Sequence, residues 1–114
     1  MSDCLFCKIA DHKIPATIVY EDDHTVIFKD IAPQAPVHLI VIPRSHLAAI
    51  HDMTADHTML GTSIFAAIKI IVNRENLEAN GYRLVINAGK DAQQSVPHLH
   101  VHILAGRPMD WPPG

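Results

Sequence analysis

The amino-acid sequence predicts an α+β domain built on an antiparallel sheet, and three observations support this fold class. Short segments rich in β-branched residues, separated by turn residues, occupy positions 18–42. A long apolar segment with helical spacing follows over positions 54–79. Alternating apolar residues return at positions 98–104. Because short turns join the strands, we expect antiparallel pairing within a single domain over residues 1–114.

The N-terminal part of the chain predicts one helical turn and three strands, over residues 4–10, 18–20, 25–29 and 37–42. The first two strands are expected to form a hairpin around the acidic turn Glu21–His24. Two prolines stiffen the loop 31–36 that follows. Pro43 ends the third strand, because proline lacks the N–H that would continue a ladder.

The segment after Met53 predicts a long helix. Thr54 is expected to cap its N-terminus, and Asn80-Gly81 is expected to stop it after about Ala79. One buried stripe is formed by Leu60, Ile64, Ala67, Ile68 and Ile71, and further apolar side chains lie outside it at Phe65, Ile70 and Val72. A helix that is apolar on two faces needs two packing partners, so we predict a homodimer in which this helix crosses a two-fold axis. Packing of both faces within one monomer is the alternative.

The C-terminal part predicts a strand over residues 82–87, a polar loop over 88–96 and a second strand over 98–104. A proline-rich irregular tail follows over residues 106–114. In the second of these strands, three imidazoles at His98, His100 and His102 project from one face, about 6.5–7 Å apart. Histidine titrates near neutral pH, so such a row suits nucleophilic attack, proton transfer or metal ligation. A solvated strand face is the alternative.

Charge and hydropathy restrict the expected partners. The formal net charge is −3, which argues against electrostatic binding of nucleic acid. The N-terminus lacks the basic and apolar regions of a secretory signal. The apolar stretches 64–68 and 70–72 are too short to span a bilayer. We therefore expect a cytoplasmic protein with neither nucleic acid nor a membrane as its partner.

Six separated motifs carry a family resemblance: Asp30–His38, Ile42–His46, Gly81–Val85, Gln94–Val96, His98–Leu104 and Trp111–Gly114. Their order and spacing resemble the histidine-triad (HIT) superfamily, and within it the Hint branch. The resemblance implies a five-stranded antiparallel sheet with one long and one short helix, and two such sheets joined across a homodimer. It also implies hydrolysis of nucleoside 5′-monophosphate derivatives, chiefly purine nucleoside phosphoramidates.

The resemblance assigns the middle histidine, His100, as the nucleophile that forms a nucleotidyl-imidazole intermediate. Such an intermediate splits one difficult displacement into two easier steps. One ring nitrogen of His100 must then be held as a donor, and either a backbone carbonyl or His38 is expected to hold it. His102 is expected to donate to the phosphoryl oxygens, and His98 completes the triad.

By the same resemblance, Asp30 accepts hydrogen bonds from both ribose hydroxyls, although an aspartate here also suits the start of a turn. The base is expected between apolar side chains that equally suit a plain core, namely Phe6, Ile9, Ile14, Phe28 and Ile31. The phosphate and leaving group are expected beside Asn87, Gln93, Gln94 and Ser95. Ser95 is the expected donor to the departing nitrogen. Gln93 stands where many relatives have glycine, so its N–H can serve the phosphate only if its φ is not positive.

Cys4 and Cys7 form a Cys-x-x-Cys pair, which two further ligands would complete as a tetrahedral zinc site. The resemblance supplies them, because His46 and His98 match the zinc-binding histidines of some relatives. We therefore expect a structural zinc and no cofactor required for catalysis. Three alternatives remain: two free buried thiols, a redox pair, and a catalytic metal held by all three triad histidines.

The predicted function is hydrolysis of purine nucleoside 5′-phosphoramidates to a nucleoside monophosphate and an amine. A nucleotide-binding regulatory module without catalysis is the first alternative. A nucleotidyl transferase that uses the same covalent intermediate is the second. The tail that contains Trp111 favours the hydrolase branch over the transferase.

Overall fold

The computed structural model describes residues 3–114, which form a five-stranded sheet with two α-helices. The strands are β1 (Ile18–Glu21), β2 (Thr25–Lys29), β3 (Val37–Pro43), β4 (Tyr82–Val85) and β5 (Val101–Ala105). The helices are α1 (Leu5–Ala10) and α2 (Thr58–Arg74). The strand order is β1-β2-β3-β5-β4, and every neighbouring pair is antiparallel. The predicted α+β class with an antiparallel sheet is confirmed.

The central strand β3 divides the interior into two clusters, one on each face of the sheet. Leu39 and Val41 pack against the buried side of α2. Ile40 and Ile42 point to the opposite face, where they pack with Phe6 of α1. Burial on both faces explains why β3 reads as a nearly continuous apolar run. His38 shares the α1 face with Ile40, because side chains two residues apart lie on the same side of a strand.

The predicted helix over residues 54–79 is broken at both ends. Thr54 caps its N-terminus as predicted, but Ala55–His57 is a 3-10 turn closed by a capping box. The expected end near Ala79 is wrong, because α2 stops at Arg74 and Asn76 takes a left-handed conformation with φ of 55°. Asparagine enters this region more readily than most residues. A separate 3-10 turn, Leu77–Ala79, follows.

The strand that carries the histidines is shorter than predicted. Ladder pairing of β5 with β3 begins only at Val101, so the first two triad histidines precede the strand. Pro97 has no N–H to donate, and the Leu99 N–H is donated instead to the Leu47 carbonyl at 2.6 Å. The alternation of faces nevertheless persists, since Leu99 and Val101 both pack on the α2 side. β4 also ends earlier than predicted, at Val85.

Helix α2 packs on the sheet through one face and leaves a second apolar face uncovered. Its buried residues are Ile64, Ala67, Ile68, Ile71 and Val72. Phe65 of this helix is 60% exposed. It lies beside the edge of the sheet, because Phe65 and Ile86 line one apolar cavity of about 80 Å³. We define the exposed apolar face as Phe65 together with the exposed Tyr82, Leu84 and Ile86 at that edge.

One helical segment, Ala55–Arg74, is long and apolar enough to cross a membrane by length and composition alone. The apolar stretches 64–68 and 70–72, taken separately, predict no membrane-spanning segment. The core helix of a soluble protein passes the same test. The packing of α2 on the sheet through Ile64 and Ile68 accounts for part of its apolar character.

Candidate active site

Three histidines and Phe6 meet on the α1 face, where β3 and β5 lie side by side. His102 of β5 stands opposite Ile40 of β3, and His38 lies two residues before Ile40. The ring centroid of His102 lies 5.1 Å from that of His38 and 5.0 Å from that of His100. The Phe6 ring makes an edge contact with His100 at 5.1 Å. Strand pairing thus brings His38 to the triad.

His100 is held with one ring nitrogen free. Its Nδ1 lies 2.7 Å from the carbonyl oxygen of His98. A carbonyl only accepts hydrogen bonds, so Nδ1 carries a proton, and in the neutral form of the ring Nε2 keeps its lone pair. The residue is 3% exposed, so the ring is enclosed by protein. Of the two orienting groups left open by the sequence, the structure contains the backbone carbonyl.

A series of hydrogen bonds sets the tautomers of the other two histidines. The Gln34 N–H donates to Nδ1 of His38 at 3.0 Å, so neutral His38 carries its proton on Nε2. The Nε2–H of His38 faces Nδ1 of His102 at 2.9 Å and Oδ2 of Asp30 at 3.3 Å. When it donates to His102, the proton of His102 stands on Nε2, where it can be donated in turn.

Burial favours the neutral forms of His38 and His102. Burial lowers the pKa of His38 and outweighs the opposing charge of Asp30. Burial likewise lowers the pKa of His102, and the neighbouring His100 and His38 lower that pKa further. A lowered pKa favours the uncharged form of both imidazoles at pH 7. Their tautomers then decide which ring nitrogen donates and which accepts.

The Cys-x-x-Cys pair meets two histidines in a cluster that fits zinc. The Cys4 Sγ lies 3.3 Å from Nδ1 of His98, and the Cys7 Sγ lies 3.4 Å from Nδ1 of His46. All four ligand atoms lie within 4.8 Å of one another. Tetrahedral zinc with thiolate and imidazole ligands sets sulfur–nitrogen separations of about 3.6 Å. Nε2 of His98 donates to the Pro43 carbonyl at 2.9 Å, so its Nδ1 presents a lone pair to the thiols.

Two other arrangements do not fit a metal. Among residues 3–114 the triad histidines do not converge on one point, because His98 faces the thiols and His102 faces His38. The ligand atoms of Asp30, His38 and His102 do converge. A metal on Nε2 of neutral His38 would require a proton on Nδ1, which already accepts the Gln34 N–H. This second cluster is a hydrogen-bonded relay.

The residues predicted to bind the base divide into a packed group and one outlier. The packed group consists of the buried Phe6, Ile9 and Phe28 with the half-buried Ile14. Ile31 is fully exposed and lies outside that cluster. Asp30 is half-buried after β2, and its Oδ1 accepts the Ala32 N–H at 2.7 Å, the expected turn contact. Its other oxygen faces His38, which the sequence did not indicate.

The backbone of Gln93 departs from what its predicted phosphate contact requires. Gln93 has a φ of 59°, a region that favours glycine. Its N–H donates to the Lys90 carbonyl at 3.0 Å. The requirement that φ not be positive is therefore not met, and the N–H already has an acceptor.

The side chain of Gln94 braces the loop that precedes the triad. Its Nε2 donates to the carbonyls of Ala48 and Val96 at 2.7 and 3.0 Å. These contacts give Gln94 a structural role in addition to the predicted one. Ser95 is exposed and Asn87 is half-buried, so both can be reached from solvent.

Sequence reasoning missed Gln34, which acts through its backbone and therefore left no side-chain signal. It also missed Arg44. The Arg44 guanidinium donates to the Ala10 carbonyl at the end of α1, at 2.7 Å, and to the Glu21 carboxylate at 2.8 Å. It thereby ties α1, which carries the cysteines and Phe6, to the β1–β2 hairpin. Its position inside the Ile42–His46 motif was the available signal.

A five-stranded antiparallel sheet with three alternating histidines at the start of strand β5 and just before it is the arrangement of the histidine-triad class of proteins. The family model described as "Scavenger mRNA decapping enzyme C-term binding" matches residues 3–111. An uncharacterized HIT-like protein of Synechococcus elongatus is 48% identical over 112 residues, covering 98% of this chain and 97% of that protein. A HIT family hydrolase from Legionella pneumophila superposes with a TM-score of 0.95 at 48% identity, covering 98% of this chain and all of that one. The chain therefore belongs to the HIT family.

A further relative bears on the metal cluster. The 14 kDa zinc-binding protein of Brassica juncea is 44% identical over 115 residues, covering 98% of this chain and all of that protein. A histidine-triad protein from Clostridium difficile superposes with a TM-score of 0.93 at 39% identity, with 96% of each chain covered. Together these similarities support a hydrolase-type enzyme with a candidate zinc site.

Proposed function

We propose that this protein hydrolyses purine nucleoside 5′-phosphoramidates through a covalent nucleotidyl-histidine intermediate on His100. The observation that carries the proposal is the 2.7 Å hydrogen bond from His100 Nδ1 to the His98 carbonyl. This bond places the proton of the neutral ring on Nδ1 and leaves the lone pair on Nε2, which is what attack on phosphorus requires. The similarity to HIT family hydrolases agrees with this chemistry.

The proposed reaction has two steps. Nε2 of His100 attacks phosphorus, the phosphorus–nitrogen bond breaks, and the amine leaves with a proton from the Ser95 hydroxyl, which solvent replaces because Ser95 is exposed. Water then attacks the phosphorus atom, the phosphorus–imidazole bond breaks with its electron pair returning to Nε2 of His100, the proton lost by the water passes to solvent, and the nucleoside monophosphate is released. Nε2–H of His102 donates to the phosphoryl oxygens as negative charge develops, and a preorganised donor of this kind contributes a few kcal/mol. Asp30 accepts from the ribose hydroxyls, and the base packs beside Phe6.

A structural zinc on Cys4, Cys7, His46 and His98 completes the proposal. When bound, the zinc would tie α1 to the segment that leads into the triad, because its ligands come from both. The catalytic steps above use none of its ligand side chains. His98 contributes to them only through its backbone carbonyl.

We also propose that the protein is a cytoplasmic homodimer joined through the exposed apolar face. Tyr82 and Leu84 are exposed on the edge strand β4, and the exposed Phe65 of α2 lines one apolar cavity with the neighbouring Ile86. Contiguous exposed apolar surfaces of this kind mark protein interfaces. Phe65→Lys should convert the dimer to a monomer in size-exclusion chromatography with light scattering. Ile31→Lys, at a fully exposed apolar residue outside this face, is the matched control. A monomeric wild type would refute the interface.

The reaction is tested by mass spectrometry of protein quenched seconds after mixing with adenosine 5′-phosphoramidate. We expect the wild type to gain one adenylyl group while adenosine monophosphate accumulates. His100→Ala should show neither adduct nor turnover, while it still binds adenosine monophosphate. The control His51→Ala removes an exposed histidine on the 3-10 turn Ile50–Asp52 and should behave as the wild type. Turnover by His100→Ala at the wild-type rate would overturn the covalent mechanism.

The alternative function, a nucleotide-binding regulatory module, makes a different prediction in the same experiment. Such a module would bind adenosine monophosphate tightly with neither adduct nor turnover in the wild type. The tautomers of His100 and His102 favour the enzyme, because nucleotide binding alone does not need a free imidazole lone pair.

A further inference from the structure

Arg107 lies outside the site described above, yet its side chain reaches the loop that supports His38. Its Nε donates to the Gln34 carbonyl at 3.0 Å. A second bond, from Nη1 to the Pro108 carbonyl at 2.9 Å, holds the guanidinium in this orientation. Arg107 follows β5 directly after Gly106, so it connects the end of the triad strand to the proline loop 31–36.

Close approach of the two segments depends on Gly106. Gly106 has a φ of 94°, and a Cβ added there would lie 2.8 Å from the Cβ of Pro36. Glycine alone permits this contact without strain. The turn at Gly106-Arg107 is therefore pressed against loop 31–36, which brings the guanidinium within reach of Gln34.

Gln34 is held on three sides. Arg107 binds its carbonyl, the side-chain Nε2 donates to the Ala32 carbonyl at 3.0 Å, and its N–H donates to Nδ1 of His38. The last of these bonds determines which nitrogen of His38 carries the proton. The orientation of Gln34 is therefore transmitted to His38 and, through the 2.9 Å contact, to His102.

We propose that Arg107 is a positioning residue, which holds the backbone of Gln34 so that His38 and His102 both keep their protons on Nε2. The consequence for catalysis rests on the proposed function, since Nε2–H of His102 is the donor to the phosphoryl oxygens. Without Arg107 the loop loses its anchor to the C-terminal turn. The hydrogen bond from the Gln34 N–H to Nδ1 of His38 is then broken part of the time. The tautomers of His38 and His102 that are protonated on Nδ1 become populated as a result.

Two-bond proton–nitrogen NMR of 15N-histidine-labelled protein tests the tautomers directly. In the wild type we expect His38 and His102 to be protonated on Nε2 and His100 on Nδ1. Arg107→Met should give mixed tautomers at His38 and His102. Arg107→Lys, which retains a donor, should restore most of the wild-type pattern. Arg74→Met is the matched control, because Arg74 also donates to a backbone carbonyl, and this carbonyl belongs to Val19 in strand β1.

Kinetics on adenosine 5′-phosphoramidate supplies the second readout. Arg107→Met should lower kcat about three- to tenfold and change KM less than about twofold, because the lost hydrogen bond supports a donor that acts in the transition state. Arg107→Lys should recover most of kcat, and Arg74→Met should match the wild type.

The two proposals fail in distinguishable ways. The positioning role would be overturned, whatever the activity, if Arg107→Met showed the same tautomers as the wild type. It would also be overturned if His102 of the wild-type protein carried its proton on Nδ1. A wild type without turnover, whose tautomers nevertheless depend on Arg107, would overturn the proposed reaction and support the positioning role.

Discussion

Replacing His46 with glutamine should greatly reduce stabilisation by zinc while it leaves the metal-free protein nearly unchanged. His46 and His51 are both exposed, but only His46 belongs to the cluster with the two cysteines. Its Nδ1 lies 3.4 Å from the Cys7 Sγ. Substitution of an exposed side chain usually changes the free energy of unfolding by less than about 0.5 kcal/mol. His46→Gln therefore isolates metal ligation, and His51→Gln is its matched control.

The size of the effect follows from zinc binding to the folded state alone. At a free zinc concentration 1,000 times Kd, the bound metal adds about 4 kcal/mol to the free energy of unfolding. For a chain of 114 residues, each kcal/mol corresponds to roughly 4 °C in Tm. We expect chelation to lower the Tm of the wild type and of His51→Gln by roughly 15 °C. His46→Gln should respond far less, because three ligands hold zinc more weakly than four.

The assay combines elemental analysis of the purified proteins with calorimetry at one fixed protein concentration, with and without a chelator. Wild type and His51→Gln should contain about one zinc per chain. A His46→Gln variant that retains a full complement of zinc and the same chelator-sensitive Tm would contradict ligation of the metal by His46. A wild type that takes up no zinc would refute it equally.

Three further predictions concern stability. Thr25 is fully buried in β2, and within residues 3–114 its hydroxyl has no hydrogen-bond partner. Thr25→Val should therefore raise the free energy of unfolding by about 1 kcal/mol in urea titrations. The exposed control Thr62→Val should leave the free energy of unfolding unchanged. A Thr25→Val variant less stable than the wild type would contradict this prediction. Gln93→Gly should raise the free energy of unfolding by up to about 1 kcal/mol, because glycine adopts the positive φ of this residue without strain. Gln93→Ala should give no such increase. Equal effects of the two substitutions would exclude backbone strain as the cause. Because burial lowers the pKa of His38 and of His102, the unfolded state binds more protons below about pH 6.5. The stability of the metal-free protein is then retained above this pH and lost as the pH falls below it, and an unchanged free energy of unfolding between pH 7.5 and 5.5 would contradict the assignment.

Local patterns predicted the elements well where one physical rule decided them. The period of two correctly placed the three rings on one face, because Phe6 contacts both His98 and His100, and His100 contacts His102. The helical stripe of α2 also packs as predicted. The end of α2 was wrong because Asn76, a single residue in the left-handed region, stops the helix before the expected Asn80-Gly81 signal. Such a stop depends on the conformation of one residue, which the pattern of apolar residues does not report.

The site was predictable at the level of residue types and not at the level of contacts. The Cys-x-x-Cys pair pointed to a metal, and family motifs added His46 and His98, which the structure brings together. The relation of Asp30 to His38 and the bracing role of Gln94 were not predictable. Each depends on which groups of distant segments become neighbours when the chain folds.

Local sequence is enough to predict the α+β class, the row of histidines and the pair of thiols, because side-chain periodicity and ligand chemistry are properties of short segments. Which nitrogen of each imidazole is free depends instead on how the chain folds. That choice depends on whether a carbonyl or an N–H faces the ring, and the deciding groups, the carbonyl of His98 and the N–H of Gln34, belong to the backbone. Every residue carries both groups, so only their placement in space distinguishes these two from the rest.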